Sequence, residues 1–296
     1  MFLALPDIHE PSAIQQLPDG RLLIAEDEKA RPFSLLTLGP QGPSAPTALE
    51  LGEAATELGK LDDLEGLAAD PAGNVYAITS HSRDGDGDEK RSREKLVRFR
   101  VDGDRVVGAQ VQHGLKAALS AAHPVLARAA EVRNVKADGG LNIEALEFSP
   151  EGRLLIGFRS PLREGRALLA TLTNPGRVFD AGVAPAIDPH LEALDLGGDG
   201  LRGMAWVPAL GGYLLISGPV ARENVQFKLW YWAGHGHPPR RADVPGLSGL
   251  EHAEGITPLR LGGESRLIVV SDDGDRKAGR AARYLLLKPE QLVIRP

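Results

Sequence analysis

A recurring hairpin constrains this chain more than anything else in it. Four segments share one grammar: a polar residue, a small residue and an aliphatic, then Pro six places after the polar residue, then a run of aliphatics. The first runs from Ser12-Ala13-Ile14 through Pro18-Asp19-Gly20 to Leu22-Leu23-Ile24, and the second from Glu65-Gly66-Leu67 through Pro71-Ala72-Gly73 to Val75-Tyr76. The third runs from Glu144-Ala145-Leu146 through Pro150-Glu151-Gly152 to Leu154-Leu155-Ile156. The fourth, Arg202-Gly203-Met204 to Tyr213-Leu214-Leu215-Ile216 by way of Pro208, carries one extra residue in its turn. A fifth copy, Glu254-Gly255-Ile256 to Leu267-Ile268-Val269-Val270, keeps the ends and lengthens the turn. Pro-x-Gly between short apolar runs is hairpin chemistry, because Pro presets φ and Gly supplies a positive φ.

A third strand-like run follows each hairpin: Phe33 to Leu38, Leu96 to Val101, Ala167 to Leu172, Phe227 to Trp232 and Tyr284 to Leu287. A weaker fourth run, such as Arg105 to Val111 or Leu191 to Leu196, often comes next. Four antiparallel strands per unit, repeated, predict an all-β fold, a β-propeller occupying residues 1–296 as a single domain. Steps of 53, 79, 58 and 52 residues separate the five polar entry residues. The 42 residues after Glu254 and the 12 through Ser12 together supply one more repeat length. The arithmetic gives five blades, with Phe2 to Leu5 or Leu292 to Ile294 adding outer strands to the last one. The long step holds Leu115-Lys116-Ala117-Ala118-Leu119 and Val125 to Ala130, which predict a helical insertion near residues 113–140, broken at Pro124. A sixth, degenerate blade hidden there is the competing reading.

Composition agrees and removes several function classes. The 296 residues include 35 Gly and 22 Pro but only 7 Phe, 4 Tyr and 3 Trp, too much punctuation for a helical bundle. A net charge of −6 gives no footprint for nucleic acid or an anionic membrane. The absence of Cys removes disulfides, thiolate metal sites and a Cys nucleophile. No apolar run reaches the length of a membrane helix. Pro6 and Asp7 interrupt the first apolar residues, so no signal peptide is visible and a cytoplasmic location is expected; a leader trimmed beforehand would move that to the periplasm or outside.

In a propeller the first strand of each blade lines the axis, so equivalent positions converge. The entry positions are Ser12, Glu65, Glu144, Arg202 and Glu254, and the positions closing the second strand are Asp27, Ser80, Arg159, Gly218 and Asp272. Two concentric rings are expected at one end of the channel. Three carboxylates near one axis repel unless arginines pair with them, an ion binds or a pKa rises. Three readings stay open. Glu65, Glu144 and Glu254 could hold calcium, the hard cation their oxygens suit. The ring could be internally satisfied by Arg159 and Arg202 and purely structural, leaving the blade edges as a protein-interaction scaffold. Or the mouth could bind a small polar or anionic ligand without a metal, with Ser80, Arg202, Asp27 and Asp273 among its contacts. A hydrolase of small esters or phosphoesters is the enzymatic alternative. There Arg159 and Arg202 would bind an anionic group, Glu144 would act on water, and His81 or Asp272 would move protons.

Other motifs weigh less. Asp84-Gly85-Asp86-Gly87-Asp88 opens like a calcium loop, but Glu89 and Lys95 stand where that loop needs Gly and Glu, so a solvated turn is expected. His235-Gly236-His237 offers two imidazoles with no third ligand evident, and a surface loop is the expectation. Trp230 and Trp232 alternate with Tyr231 and are expected to fill space between blades. No nucleophile elbow, phosphate loop or dinucleotide fingerprint occurs.

Asp63-Leu64-Glu65-Gly66-Leu67, Ser80-His81-Ser82, Asn142-Ile143-Glu144-Ala145-Leu146, Gly157-Phe158-Arg159-Ser160-Pro161 and Ser271-Asp272-Asp273-Gly274 resemble the bacterial family catalogued as domain of unknown function 3616. The likeness spans about residues 60–275. It implies the propeller and transfers no reaction. More loosely, the repeated Glu-Gly-Leu is similar to the esterase-like phytase propellers, which would imply ester or phosphoester hydrolysis.

Overall fold

A computed structural model describes the chain except residues 28–30, 222–226, 248 and 251. Five antiparallel sheets succeed one another along the sequence, and the innermost strand of each contacts the innermost strands of its two neighbours, closing a ring. Blade one comprises Pro11–Gln16, Leu22–Glu26, Phe33–Leu36 and Thr47–Ala48, from the axis outward. Blade two comprises Leu64–Ala69, Val75–Thr79, Leu96–Asp102 and Arg105–Gln112, and blade three Asn142–Phe148, Leu154–Ser160, Ala167–Leu172 and Glu192–Leu194. Blade four contains Gly200–Val207, Gly212–Gly218, Lys228–Trp232 and Arg240–Asp243; blade five contains Ala253–Leu261, Glu264–Ser271 and Ala282–Leu287. The fold is a five-bladed β-propeller. The sixth-blade reading fails because the long step is helical, with helices at Leu115–Ala122, Pro124–Ala130 and Val135–Asp138.

The hairpin grammar has a direct structural cause. Leu17 N–H donates to Arg21 O at 2.8 Å and Gly20 N–H to Leu17 O at 2.9 Å. The same two bonds recur at Asp70, Asn74 and Gly73, and again at Ser149, Arg153 and Gly152. Gly20, Gly73 and Gly152 all hold φ between 78° and 89°, as a hairpin with a left-handed residue requires.

Each of the five hydrophobic clusters lies between two adjacent blades. On the second strand of blade one, Leu23 and Ala25 pack towards blade two while Leu22 and Ile24 pack towards blade five. Such strands are buried on both faces, which is why they read as continuous apolar runs rather than alternating ones. The insertion caps the seam between blades two and three, where Leu115, Leu119 and Leu126 join Ile78, Phe158 and Leu168.

The two ends of the chain close different blades. Leu3–Leu5 pairs with Ala282–Tyr284 and completes blade five, as the repeat arithmetic expected. Val293–Ile294 instead pairs with Ala242 and Asp243 and adds a fifth strand to blade four. The alternative closure of the last blade by Leu292 to Ile294 is thereby corrected: the short helical turn Pro289–Gln291 carries the chain across to the neighbouring edge. Among the described residues no helix is long and apolar enough to cross a membrane.

Candidate functional site at the axial mouth

Every inner strand breaks register at one and the same place. The shift falls between Pro11 and Ala13, Leu64 and Gly66, Ile143 and Ala145, Leu201 and Gly203, and Ala253 and Gly255. The residue left out of the ladder is therefore Ser12, Glu65, Glu144, Arg202 or Glu254, the five expected entry positions. A bulge re-aims its extra residue, and here it brings the five polar groups together at the axis. The small residue that follows permits the close approach of the next inner strand. A Cβ on Gly203 would stand 2.0 Å from the backbone oxygen of Glu254, and one on Gly66 would stand 2.8 Å from the Cβ of Leu146. So polar, small, aliphatic reads as axis, neighbouring strand, core. The cavity lined by Ser12, Glu65, Glu144 and Glu254 measures only about 10 Å³, room for one water.

One side of this ring is neutralised. Glu144 is 4% exposed and its Oε1 accepts from Arg159 Nη1 at 3.0 Å and from Asn142 Nδ2 at 2.8 Å. Its Oε2 lies 3.1 Å from Arg202 Nη1, which also reaches Glu254 Oε1 at 3.3 Å. Both arginines are anchored from behind. Arg159 Nε donates to Val220 O at 3.0 Å, Arg202 Nη2 donates to Pro219 O at 2.7 Å, and the Arg202 guanidinium lies over the Phe227 ring.

The other side is crowded with acid. Among the described residues no cation pairs with Glu65. Burial, then Glu144, Asp63, Glu254 and Asp27, hold its carboxyl well above the usual range. Glu254 is raised as well, by burial and by Asp272, against the pull of Arg202 and Arg159. Asp272 is pushed up to about 6 by burial, Glu10 and Asp27. Asp27 is also pushed up to about 6, first by desolvation and then by Asp63, although it accepts the Asp63 N–H at 2.9 Å.

Several expected site residues have other jobs. The His81 ring is fully buried, and Nδ1 donates to Thr79 O at 2.8 Å, which leaves Nε2 as the unprotonated nitrogen without a partner. Burial depresses its pKa to about 4, and the charges acting on it are Lys116 and His113 of the insertion side rather than any axial carboxylate. The expected general-base role at the mouth loses its geometry. Asp273 is held by Arg283 and by Ser271 Oγ at 2.6 Å, so its carboxylate braces blade five rather than facing the axis. Ser80 bonds Ser82 at 2.8 Å, and Ser82 donates to Asp63 Oδ2 at 3.2 Å. The calcium set is not assembled: among the described residues, Glu65, Glu144 and Glu254 do not bring three oxygens within 4.8 Å of one another. The Asp84 loop folds on itself, with Asp84 accepting the N–H groups of Asp86 and Asp88.

The sequence reading missed the residues two places before the bulges of blades one, two and three. Asp63 is paired with Arg93 at 2.9 Å, Asn142 orients Glu144, and Glu10 raises Asp272. The repeat itself carried that signal, since Glu10, Asp63 and Asn142 occupy equivalent positions.

No curated protein matches the chain. Among solved structures, RS223-β-xylosidase is 12% identical, with a TM-score of 0.55 over 100% of this chain and 98% of that one. A putative oxidoreductase (glucose dehydrogenase) from Thermus thermophilus is 19% identical, with a TM-score of 0.47 over 97% and 99%. The gluconolactonase XC5397 from Xanthomonas campestris is 14% identical, with a TM-score of 0.44 over 99% and 86%. At such identities the first shows the shared fold alone. The model for the protein family of unknown function DUF3616 matches residues 122–286, more than half of the sequence, and the chain belongs to that family.

Proposed function

We propose that the axial mouth binds a small polar ligand that is neutral or positively charged and donates hydrogen bonds. The observation behind this is the crowd of Asp27, Glu65, Glu254 and Asp272, whose carboxyls are all raised and lack sufficient counter-charge. Strongly perturbed groups gathered in one concavity are a mark of a candidate functional site. A donor-rich or cationic ligand would relieve the repulsion. An anionic ligand has less to recommend it, because Arg159 and Arg202 are engaged by Glu144 and Glu254. The narrow axial cavity means that such a ligand lies over the mouth rather than inside the channel.

Calorimetric screening of polyols, amines, calcium and small anions tests the reading. Polyol or amine binding that is lost in Glu65→Gln and Asp272→Asn is the expected result. Binding of calcium or anions alone, or hits that survive both substitutions, overturns it.

Hydrolysis is the second reading, and it rests on Asp27 and Asp272. A carboxyl that titrates near 6 can both give and take a proton close to neutrality. Turnover on an ester and phosphoester panel, lost in Asp27→Asn or Asp272→Asn, would support it. A panel without turnover would retire it.

A further inference from the structure

The seam between blades three and four holds a second cluster, well away from the axial groups described above. Glu192 opens the outer strand of blade three and His190 stands two residues before it, its ring brought beside the Glu192 carboxylate. His235 comes from the turn after Lys228–Trp232 in blade four. That turn is pinned: His237 N–H donates to Gly234 O at 3.1 Å, and Trp232 Nε1 donates to His237 O at 3.0 Å. Gly234 and Gly236, at φ of 105° and 79°, flank His235 and present its ring across the seam. The result joins two blades at one point. His235 Nδ1 contacts Glu192 Oε1, and His190 Nε2 lies 3.3 Å from the same oxygen. The two imidazoles meet edge to face, 4.7 Å apart.

We propose that His190, Glu192 and His235 form a binding site for a borderline divalent transition ion of the zinc class. Their three ligand atoms lie within 4.8 Å of one another, and theirs is the one such group among the described residues. Tetrahedral bonds of about 2.0 Å to nitrogen and oxygen place neighbouring donors about 3.3 Å apart, the separation of His190 Nε2 from Glu192 Oε1; His235 Nδ1 bonds that oxygen directly and draws back from it to admit an ion. Two imidazoles and one carboxylate suit zinc, copper or nickel rather than calcium, which prefers an all-oxygen set. Asp188 supports the arrangement, accepting the His190 N–H at 2.9 Å while pairing with Arg153 at 3.2 Å.

Three protein ligands leave a coordination position open, the condition that separates reactive zinc sites from closed structural ones. This position borders a cleft of about 640 Å³ whose walls include Trp206, Tyr213, Trp232 and Arg153. A water or a small ligand entering that cleft can complete the coordination.

Isothermal titration of the metal-stripped protein with zinc tests the site, with calcium as the control ion. One zinc per chain is expected, weakened at least tenfold in His235→Ala and in Glu192→Gln and unchanged in His237→Ala. Titration of the wild type with cobalt needs no variant and should give the intense visible bands of a four-coordinate site. Zinc binding that survives both substitutions overturns the proposal, as does cobalt that shows only the weak spectrum of the hydrated ion. The axial proposal is untouched by either result, because its readout is ligand binding through Glu65 and Asp272.

Discussion

The ring around the axis has two unlike sides. Towards blades three and four, Glu144 is clamped between Arg159 and Arg202, and each guanidinium also donates to a backbone carbonyl. Towards blades one, two and five, Asp27, Glu65 and Asp272 face one another, and their carboxyls rise instead of pairing. Equivalent positions in a repeat thus received opposite treatments. One side resolves the cost of burying charge with hydrogen-bonded counter-ions; the other leaves it for protons or a ligand to resolve. The first side carries the ion pairs that stabilise the ring, and the second is where the proposed ligand would bind.

Removing the clamp should break this contrast most sharply. Arg202→Ala leaves Glu144 and Glu254 buried beside a missing cation, and the loss should reach about 3–5 kcal/mol in urea unfolding. Adding Glu144→Gln to that variant should recover part of it; no recovery would show that Arg202 acts through its packing on Phe227. Gly203→Ala is next. Its new methyl meets the Glu254 backbone oxygen and should destabilise by about 1–3 kcal/mol through overpacking, measured in the same way.

The acidic side is read out by pH. Asp27 and Asp272 titrate at about 6 in the fold against an ordinary 3.8, so between those values the folded chain holds protons that the unfolded chain has lost. Their contribution to stability therefore falls as pH rises from about 4 to about 6 and levels off above. The urea midpoint of an Asp27→Asn, Asp272→Asn variant, relative to wild type, should rise across that window. A difference independent of pH would place both carboxyls in ordinary solvent. Glu65→Gln should likewise stabilise at pH 8 and change little at pH 4. Asp273→Ala should have the smallest effect, within about 1 kcal/mol, because its Arg283 partner is nearly half exposed and the pair is screened by solvent. It should also leave ligand binding at the mouth unchanged.

Much of this contrast was legible in the sequence because the blades repeat. The position of Glu65, Glu144 and Glu254 followed from register alone, and so did the presence of Arg202 and Arg159 beside them. Which carboxylate takes the arginines did not follow, since all three occupy equivalent places and only side-chain reach distinguishes Glu144. The bulge was hidden because it is a property of pairing between strands, although the small residue after each entry position is its trace. His81 was misplaced since a residue one step past a strand end can face either side; here φ is 57° and the ring turns into the protein. The seam cluster escaped notice for a different reason. His235 was weighed with His237, its neighbour in sequence, whereas its partners stand on another blade.

The strand Leu3–Leu5 has a consequence for how the ring is made. It pairs with Ala282–Tyr284, a separation of roughly 280 residues and about the longest loop this chain can close. During synthesis the first strand emerges long before its partner, while blade one already needs a neighbour on the side that blade five will occupy. Leu22, Ile24 and Leu36 pack against that late-arriving face. Until the last hairpin leaves the ribosome, the nascent protein is an open arc with an apolar flank at each end, and at high protein concentration two such arcs could join before either closes. Slow closure would appear as dimers or larger rings when the protein is refolded at high concentration, and a circular permutant that begins between blades would suppress them.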